Sequence, residues 1–173
     1  MGAGKSAVGV RLAQELRWIF VDLDAEIVRM EQKSIAEIFE TAGETAFRKL
    51  EHFALSNVLQ RSGMVLALGG GAMESAVNRQ ALANHPETLL VYLEAPFDVL
   101  VQRCEDQQRE QPGTPRRPVL EHRGELAARF LRRRPWYESA HTTIATADRG
   151  LDEVVLRIVE QWKRSTQKDA VQR

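Results

Sequence analysis

Four short apolar runs, separated by segments with helical periodicity, constrain the fold of this chain more than any other feature. The runs are WIFVDLD at 18–24, MVLAL at 64–68, TLLVYL at 88–93 and TTIAT at 142–146. The segment before the first run carries Val8, Leu12 and Leu16, which are four residues apart and share one side of a helix. Strands that alternate with helices predict an α/β fold with a parallel sheet covered by helices on both faces.

Three residues predict the helices between the first two runs. Ser34 and Glu37 have the spacing of a capping box, which predicts the start of a short helix. Gly43 predicts the end of that helix, because glycine is a poor residue for a helix interior. A longer helix is predicted over 44–61, ahead of the second run.

The second half of the chain is predicted to hold a loop and a frayed tail. Pro96 predicts the start of a helix over 97–104, since proline is favoured in the first turn. The stretch 105–118 contains three prolines and little apolar surface, so we expect a mobile loop there. The last helix has an apolar face, but the chain from Ser165 onward is polar and is expected to fray.

The composition is that of one globular domain spanning 1–173. Hydrophobic residues make up 43% and charged residues 28% of the chain, and no apolar run approaches the roughly 20 residues of a membrane span. The formal net charge of zero argues against a nucleic-acid or membrane partner. Cys104 is the only cysteine, which excludes an intramolecular disulfide. We therefore expect a cytoplasmic monomer, either an enzyme or a binding protein.

Arginine is concentrated in one segment of this neutral chain. Residues 103–134 contain nine arginines and no lysine, against five acidic residues. A guanidinium group binds phosphate or carboxylate through two parallel hydrogen bonds, which an ammonium group cannot do. A solvated helix face explains part of this charge. The absence of lysine nevertheless favours a segment that binds an anion.

The chain begins with the second half of a phosphate-binding loop. Gly4, Lys5 and Ser6 match the end of the pattern G-x-x-x-x-G-K-[ST], and its first glycine would fall ahead of Met1. We therefore expect the natural protein to be longer, with an apolar strand and a glycine upstream. In such a loop the backbone N–H groups of 2–6 bind nucleotide phosphates, the lysine reaches the β- and γ-phosphates, and the serine hydroxyl binds Mg²⁺.

Acids and glycines follow the first two apolar runs. Asp22 and Asp24 are two residues apart at the end of a strand, so we expect them to face the same side. One could order the water ligands of Mg²⁺ while the other accepts a proton from an attacking hydroxyl. Helix capping by both acids is the alternative. Three glycines, 69–71, follow the second run and would let a ligand approach bare backbone, unless they form only a turn.

Several stretches together give the chain a resemblance to shikimate kinases. They are DLD at 22–24, SIAEIFETAGETAFRKLE at 34–51, LALGGGAM at 66–73, RRPVL at 116–120 and RRPWYESA at 133–140. The resemblance implies transfer of the ATP γ-phosphate to the 3-hydroxyl of shikimate, in the pathway to chorismate and the aromatic amino acids. It also implies a nucleoside-monophosphate-kinase-like fold with a five-stranded parallel sheet, whose first, central strand we expect to be missing from this chain. A shikimate-binding helical part would cover about 24–62 and a lid about 105–123.

The same resemblance assigns residues to shikimate. Asp24 matches the acid that binds the shikimate hydroxyls and is the candidate base, while Arg48 and Arg133 match the two arginines that clasp the carboxylate. The remaining matches are the glycines that line the substrate, Gly69, Gly70 and Gly71.

Other residues are assigned to ATP and to the Mg²⁺ cofactor. Arg117 resembles the lid arginine that closes on the phosphates, Arg103 resembles the arginine that stacks on adenine, and Asp22 matches the acid near magnesium, where Ser6 also binds. Lys5 and Arg117 join Asp24 as candidate catalytic residues. The phosphate-binding loop comprises Gly2, Ala3, Gly4, Lys5, Ser6 and Ala7.

Two other functions stay open at this point. One is a non-catalytic protein that binds shikimate, because the phosphate-binding loop is incomplete whereas the substrate residues are all present. The other is a related small-molecule kinase, such as a gluconate kinase, since gluconate is also a hydroxy acid. Arg48 and Arg133 together with Asp24 favour shikimate.

Overall fold

The structure is a computed structural model that describes residues 2–110 and 123–171, with side chains as far as residue 167. Strands and helices alternate along it, which confirms the α/β prediction. The chain divides into two compact units, Ser6–Thr88 and Met1–Lys5 with Leu89–Arg173. The elements are α1 (Lys5–Leu16), β1 (Ile19–Asp22), α2 (Leu23–Glu31), α3 (Ile35–Leu59), β2 (Met64–Ala67), the 3₁₀ turn η1 (Ala72–Glu74), α4 (Ala76–Asn84), β3 (Val91–Glu94), α5 (Phe97–Glu110), α6 (Arg123–Glu138), β4 (Thr142–Ala145) and α7 (Leu151–Val171).

In the unit Ser6–Thr88, β1 and β2 form a parallel pair. The register sets Asp22 opposite Ala67, so Asp24 and Gly69 each lie two residues beyond the last pair, at the carboxyl end of the sheet. Apolar residues of α2 and α3 pack into the core of this unit and drive its formation. The most buried of them are Leu23, Ile27, Ala54 and Leu55.

Helix α3 contains both local signals that the sequence predicted. Ser34 Oγ accepts a hydrogen bond from the Glu37 backbone N–H at 3.2 Å, and the Glu37 carboxylate accepts one from the Ser34 N–H at 2.7 Å. This reciprocal pair confirms the capping box. Gly43 has φ 77° and ψ 174°, which interrupts the helical conformation and produces a kink inside α3. The short helix and the longer one are therefore two arms of one element.

In the other unit, β3 and β4 form a second parallel pair, with Val91 opposite Thr142 and Glu94 opposite Ala145. All the strands of the described ranges are thus the four that the apolar runs predicted, which is the number expected when the first of the five strands implied by the resemblance is missing. Within residues 2–110 and 123–171 no helix is long and apolar enough to cross a membrane.

Two predictions of irregular structure in this unit were wrong. Helix α5 continues through residues 105–110, which we expected to be loop, because Asp106 accepts hydrogen bonds from Gln102 at 2.9 Å and Arg109 at 3.5 Å within the helix. Helix α7 continues to Val171 instead of fraying from Ser165. The rest of the predicted loop, 111–118, and most of the predicted lid lie outside the described residues.

Candidate active site

Asp22 ends β1 and begins α2. Its backbone is extended, and its Oδ1 accepts hydrogen bonds from the backbone N–H groups of Asp24 at 3.1 Å and Ala25 at 3.2 Å, so Asp22 is the N-cap of α2. The other carboxylate oxygen, Oδ2, accepts a hydrogen bond from Ser6 Oγ at 3.5 Å. The two residues that the sequence assigned to magnesium therefore lie next to each other.

Asp24 is helical, so the prediction that it is a strand residue was wrong, whereas the expectation that it faces the same side as Asp22 stays a prediction. The strand ends at Asp22, and Asp24 lies in the first turn of α2. The alternative of capping acids was right for Asp22. The half-buried side chain of Asp24 lies over Gly69, where a Cβ would overlap its Oδ1 and would come within 3.1 Å of its Cγ. Glycine at position 69 thus leaves room for the carboxylate of the protein itself.

Arg48 lies at the other end of the glycine triplet. A Cβ on Gly71 would lie 2.7 Å from both Nη1 and Nη2 of Arg48, so this glycine leaves room for the guanidinium group. Carboxylates hold that group in place: Glu51 accepts from Nη1 at 3.0 and 3.2 Å, and Glu44 accepts from Nη2 at 3.2 Å. The Arg48 side chain remains 25% exposed, so a ligand can still reach it.

Glu51 is a buried acid beside this arginine. Its side chain is only 1% exposed, and burial raises the pKa of Glu51 above its ordinary value. The hydrogen bond and positive charge of Arg48 act in the opposite direction, whereas the nearby carboxylates of Asp24 and Glu74 raise the pKa further. Burial and the neighbouring carboxylates therefore disfavour the charge of Glu51, whereas Arg48 favours it.

The phosphate-binding loop leads directly into α1. Gly2 and Gly4 have φ values of 66° and 82°, which favour glycine, while Lys5, Ser6 and Ala7 form the first turn of the helix. A Cβ on Gly2 would overlap the carbonyl oxygen of Leu100. The backbone N–H groups at this helix start have the polarity that binds an anion.

Arg103 is held on the surface of its unit by Thr146. The guanidinium group donates to the Thr146 carbonyl oxygen at 2.6 Å and to Thr146 Oγ1 at 3.0 Å. The hydroxyl of Thr146 in turn donates to the Glu94 carbonyl oxygen at 3.1 Å, and its backbone N–H donates to the same oxygen at 2.8 Å. These hydrogen bonds hold the Arg103 side chain of α5 beside Thr146, the residue that follows β4.

Arg133 lies on α6, one helical turn before Tyr137, whose ring stacks on Tyr92 with 5.6 Å between ring centroids. Arg48 and Arg133 belong to different compact units, and the clasp that they were predicted to form remains a prediction. Arg117, the predicted lid arginine, lies outside the described residues.

Comparison with known proteins identifies the family to which these residues belong. The family model described as shikimate kinase matches residues 1–163. The chain belongs to the shikimate kinase family. As in that family, its activity is that of an ATP-dependent kinase, and the predicted fold class and pathway agree with this membership.

Individual shikimate kinases are similar over most of their length. The shikimate kinase of Salinibacter ruber is 41% identical over 166 residues, which cover 92% of this chain and 79% of the relative. The shikimate kinase structure from Acinetobacter baumannii in complex with shikimate has a TM-score of 0.78 and 34% identity, and covers 93% of this chain and 87% of that one. The structure from Bacteroides thetaiotaomicron has a TM-score of 0.83, 28% identity and 94% coverage of both chains.

Sequence reasoning about this shikimate kinase missed two residues that hold the predicted site residues. Glu51 binds Arg48, and Thr146 binds Arg103. A signal for Glu51 was present, because an acid three residues after an arginine lies on the same side of a helix. Thr146 is 43 residues from Arg103, and no local pattern connects them.

Proposed function

We propose that this chain transfers the γ-phosphate of ATP to the 3-hydroxyl of shikimate, with Asp24 as the general base. The observation that carries the proposal is the placement of a carboxylate and a guanidinium group against one glycine triplet, Asp24 at Gly69 and Arg48 at Gly71. Shikimate presents hydroxyl groups and a carboxylate. A hydrogen-bond acceptor for the former, a bidentate donor for the latter and bare backbone between them match that chemistry.

In the proposed reaction Asp24 accepts the proton of the 3-hydroxyl as its oxygen attacks the γ-phosphorus. The new P–O bond forms while the bond from this phosphorus to the bridging oxygen of ADP breaks, which yields shikimate 3-phosphate and ADP. Protonated Asp24 then returns its proton to solvent. A positioned base contributes about 10²- to 10⁴-fold to such a step, and the remainder comes from alignment and charge stabilisation.

Ser6 and Asp22 are the proposed magnesium residues. A hydroxyl and a carboxylate oxygen are hard donors, and Mg²⁺ typically takes only one or two protein ligands beside water and phosphate oxygens. Within the described ranges no group of three or more His, Cys, Asp or Glu side chains could hold a metal ion. When bound, the ion would neutralise charge on the phosphates. Ser6 and Asp22 already have a suitable separation, since their oxygens are 3.5 Å apart.

The other sequence-based assignments belong to the proposal as well. Lys5 binds the β- and γ-phosphates, Arg103 stacks on adenine, and Arg117 closes on the phosphates. Arg133 joins Arg48 on the shikimate carboxylate. We also propose that the enzyme acts as a cytoplasmic monomer without a nucleic-acid or membrane partner, and light scattering on the purified chain tests the monomer.

A coupled assay of ADP release tests the proposal. With ATP and Mg²⁺ we expect turnover that depends on shikimate, and little with gluconate. Asp24→Asn keeps the shape of the side chain but cannot accept a proton, so we expect kcat to fall by about 10²- to 10⁴-fold. Asp152→Asn, at an exposed acid in the first turn of α7, is the matched control.

The outcomes separate the candidate functions. Turnover with gluconate rather than shikimate would assign another substrate. Shikimate binding without turnover would contradict the proposed phosphate transfer. Wild-type kcat in an Asp24→Asn variant that melts like the wild type would remove Asp24 from its role as base.

A further inference from the structure

Two adjacent side chains in the first turn of α4 bind three consecutive carbonyl groups of η1. Asn78 Nδ2 donates to the Ala72 carbonyl oxygen at 3.1 Å. Arg79 Nη1 donates to the Met73 carbonyl oxygen at 2.6 Å and to the Glu74 carbonyl oxygen at 2.8 Å. The turn that directly follows the glycine triplet is therefore held from outside by side chains of the next helix.

Asn78 is completely buried, with 0% exposure, and its amide group is engaged on both sides. The Ala72 carbonyl oxygen can only accept, which fixes Nδ2 on that side of the amide. A second contact of Nδ2 reaches Glu51 Oε2 at 3.4 Å, and Oδ1 lies 2.9 Å from His52 Nδ1. Because Oδ1 can only accept, His52 Nδ1 carries a proton. Asn78 thus joins α3, α4 and η1.

These contacts reach both parts of the proposed shikimate site. On the backbone side, the Ala72 N–H donates to the Gly69 carbonyl oxygen at 3.1 Å and the Glu74 N–H donates to the Gly71 carbonyl oxygen at 2.9 Å, so the position of η1 sets the path of the triplet. On the side-chain side, Asn78 binds the same Glu51 carboxylate that orients Arg48. One amide group is therefore connected to the glycines and, through Glu51, to the guanidinium group.

We propose that Asn78 and Arg79 are positioning residues for shikimate, which act without contacting it. Together they hold the three carbonyl groups of η1 in place. Asn78 also binds the Glu51 carboxylate, which orients the Arg48 guanidinium group. This inference rests on the proposed function, because it assigns shikimate to the triplet and to Arg48. ATP is assigned to other residues, so the effect is expected on shikimate alone.

Asn78→Leu is the principal test, because leucine has a similar volume and no hydrogen-bonding group. The substitution leaves the Ala72 carbonyl and one side of Glu51 without their donor, in a region where every buried polar side-chain atom that the structure describes has a partner. We expect the KM for shikimate to rise by about tenfold or more, and the KM for ATP to change by less than about twofold. Asn84→Leu, at an exposed asparagine on the same helix, is the matched control and should leave both values unchanged.

Arg79 provides a graded test of the same role. Arg79→Met removes both hydrogen bonds of Nη1, whereas Arg79→Lys keeps a positively charged donor on a side chain of different shape and is expected to restore them only in part. We expect the KM for shikimate to increase from wild type to Arg79→Lys to Arg79→Met. Equal KM values in Arg79→Lys and Arg79→Met would contradict positioning through these hydrogen bonds.

A double-mutant cycle tests the route through Glu51. If Asn78 acts partly through this carboxylate, the effects of Asn78→Leu and Glu51→Gln on kcat/KM for shikimate will not add. Additive effects, or an unchanged KM for shikimate in an Asn78→Leu variant that melts cooperatively, would overturn the proposal. So would an equal rise in the KM for ATP.

Hydrogen exchange separates this proposal from the proposed function. We expect the Ala72 and Glu74 amides to exchange faster in Asn78→Leu than in the wild type, because the hydrogen bonds that protect them depend on the position of η1. Unchanged exchange of these amides would overturn the positioning role whatever the substrate. Absence of shikimate turnover in the wild type would instead refute the proposed function, and the positioning role would then be judged on exchange alone.

Discussion

A methyl group at residue 71 tests how strongly the proposed site depends on the placement of Arg48. A Cβ there would lie 2.7 Å from both Nη atoms, whereas ordinary van der Waals contact begins at 3.4 Å. Gly71 has φ −105° and ψ −5°, a conformation that alanine can adopt. Gly71→Ala therefore changes the space available to the guanidinium group without straining the backbone.

The size of the effect follows from these distances. The guanidinium group has to move by about 0.7 Å to reach ordinary contact, and if it moves away from Glu51 the 3.0 Å contact between them lengthens beyond hydrogen-bond distance. A hydrogen bond to a charged group contributes about 1.5–3 kcal/mol. If shikimate binding loses a contribution of this size through the displaced arginine, its KM rises by about 10- to 100-fold.

Steady-state kinetics with varied shikimate at saturating ATP measure this effect, and a melting curve shows whether the variant folds. Gly150→Ala is the control, because a Cβ at Gly150 meets no atom within 4 Å. In an Arg48→Ala background the added methyl group meets no guanidinium group, so Gly71→Ala should then change the KM by less than about twofold. A folded Gly71→Ala variant with the wild-type KM would refute the reasoning, as would an equal effect in both backgrounds.

Three further predictions concern the charges of the site. Arg48→Lys and Arg133→Lys should each raise the KM for shikimate more than the KM for ATP, because an ammonium group cannot form the paired hydrogen bonds of a guanidinium group; collapse of ATP binding alone would contradict the carboxylate clasp. Glu51 faces Arg48, Asp24 and Glu74, and its raised pKa predicts that it is neutralised at a higher pH than an exposed glutamate. We therefore expect the KM for shikimate to rise on acidification, and Glu51→Gln should remove this pH dependence. Folding stability should respond with the opposite sign: the folded chain holds this proton more tightly than the unfolded chain, so the contribution of Glu51 to stability is largest at low pH and is lost as the pH rises through its folded pKa.

The parts of the fold that the sequence predicted are those with local physical causes. The capping box of Ser34 and Glu37 needs only four consecutive residues, and the kink at Gly43 needs only one residue without a side chain. The ends of strands and helices were predicted less well, because a side chain that caps the backbone can end an element where its residue pattern would continue it. Asp22 captures two backbone N–H groups and ends the strand before Asp24, and side-chain pairs extend α5 beyond the expected loop boundary.

The glycine triplet shows why the site was only partly predictable. Its position after a buried strand predicted bare backbone that a ligand could approach, which stays a prediction; in the structure a Cβ at Gly69 or Gly71 would come closest to side-chain atoms. The groups that occupy the space are, however, side chains of the protein, Asp24 and Arg48, which the chain brings there from 45 and 23 residues away. A sequence pattern records that a residue must be small but does not record which atom fills the space beside it. The same limit applies to Asn78. Its hydrogen bond to Glu51 joins residues 27 positions apart, and in the sequence alone Asn78 resembles any other polar residue on a helix. Sequence motifs thus point to candidate substrate groups, here Asp24 and Arg48, whereas the groups that hold them in place are determined by tertiary packing.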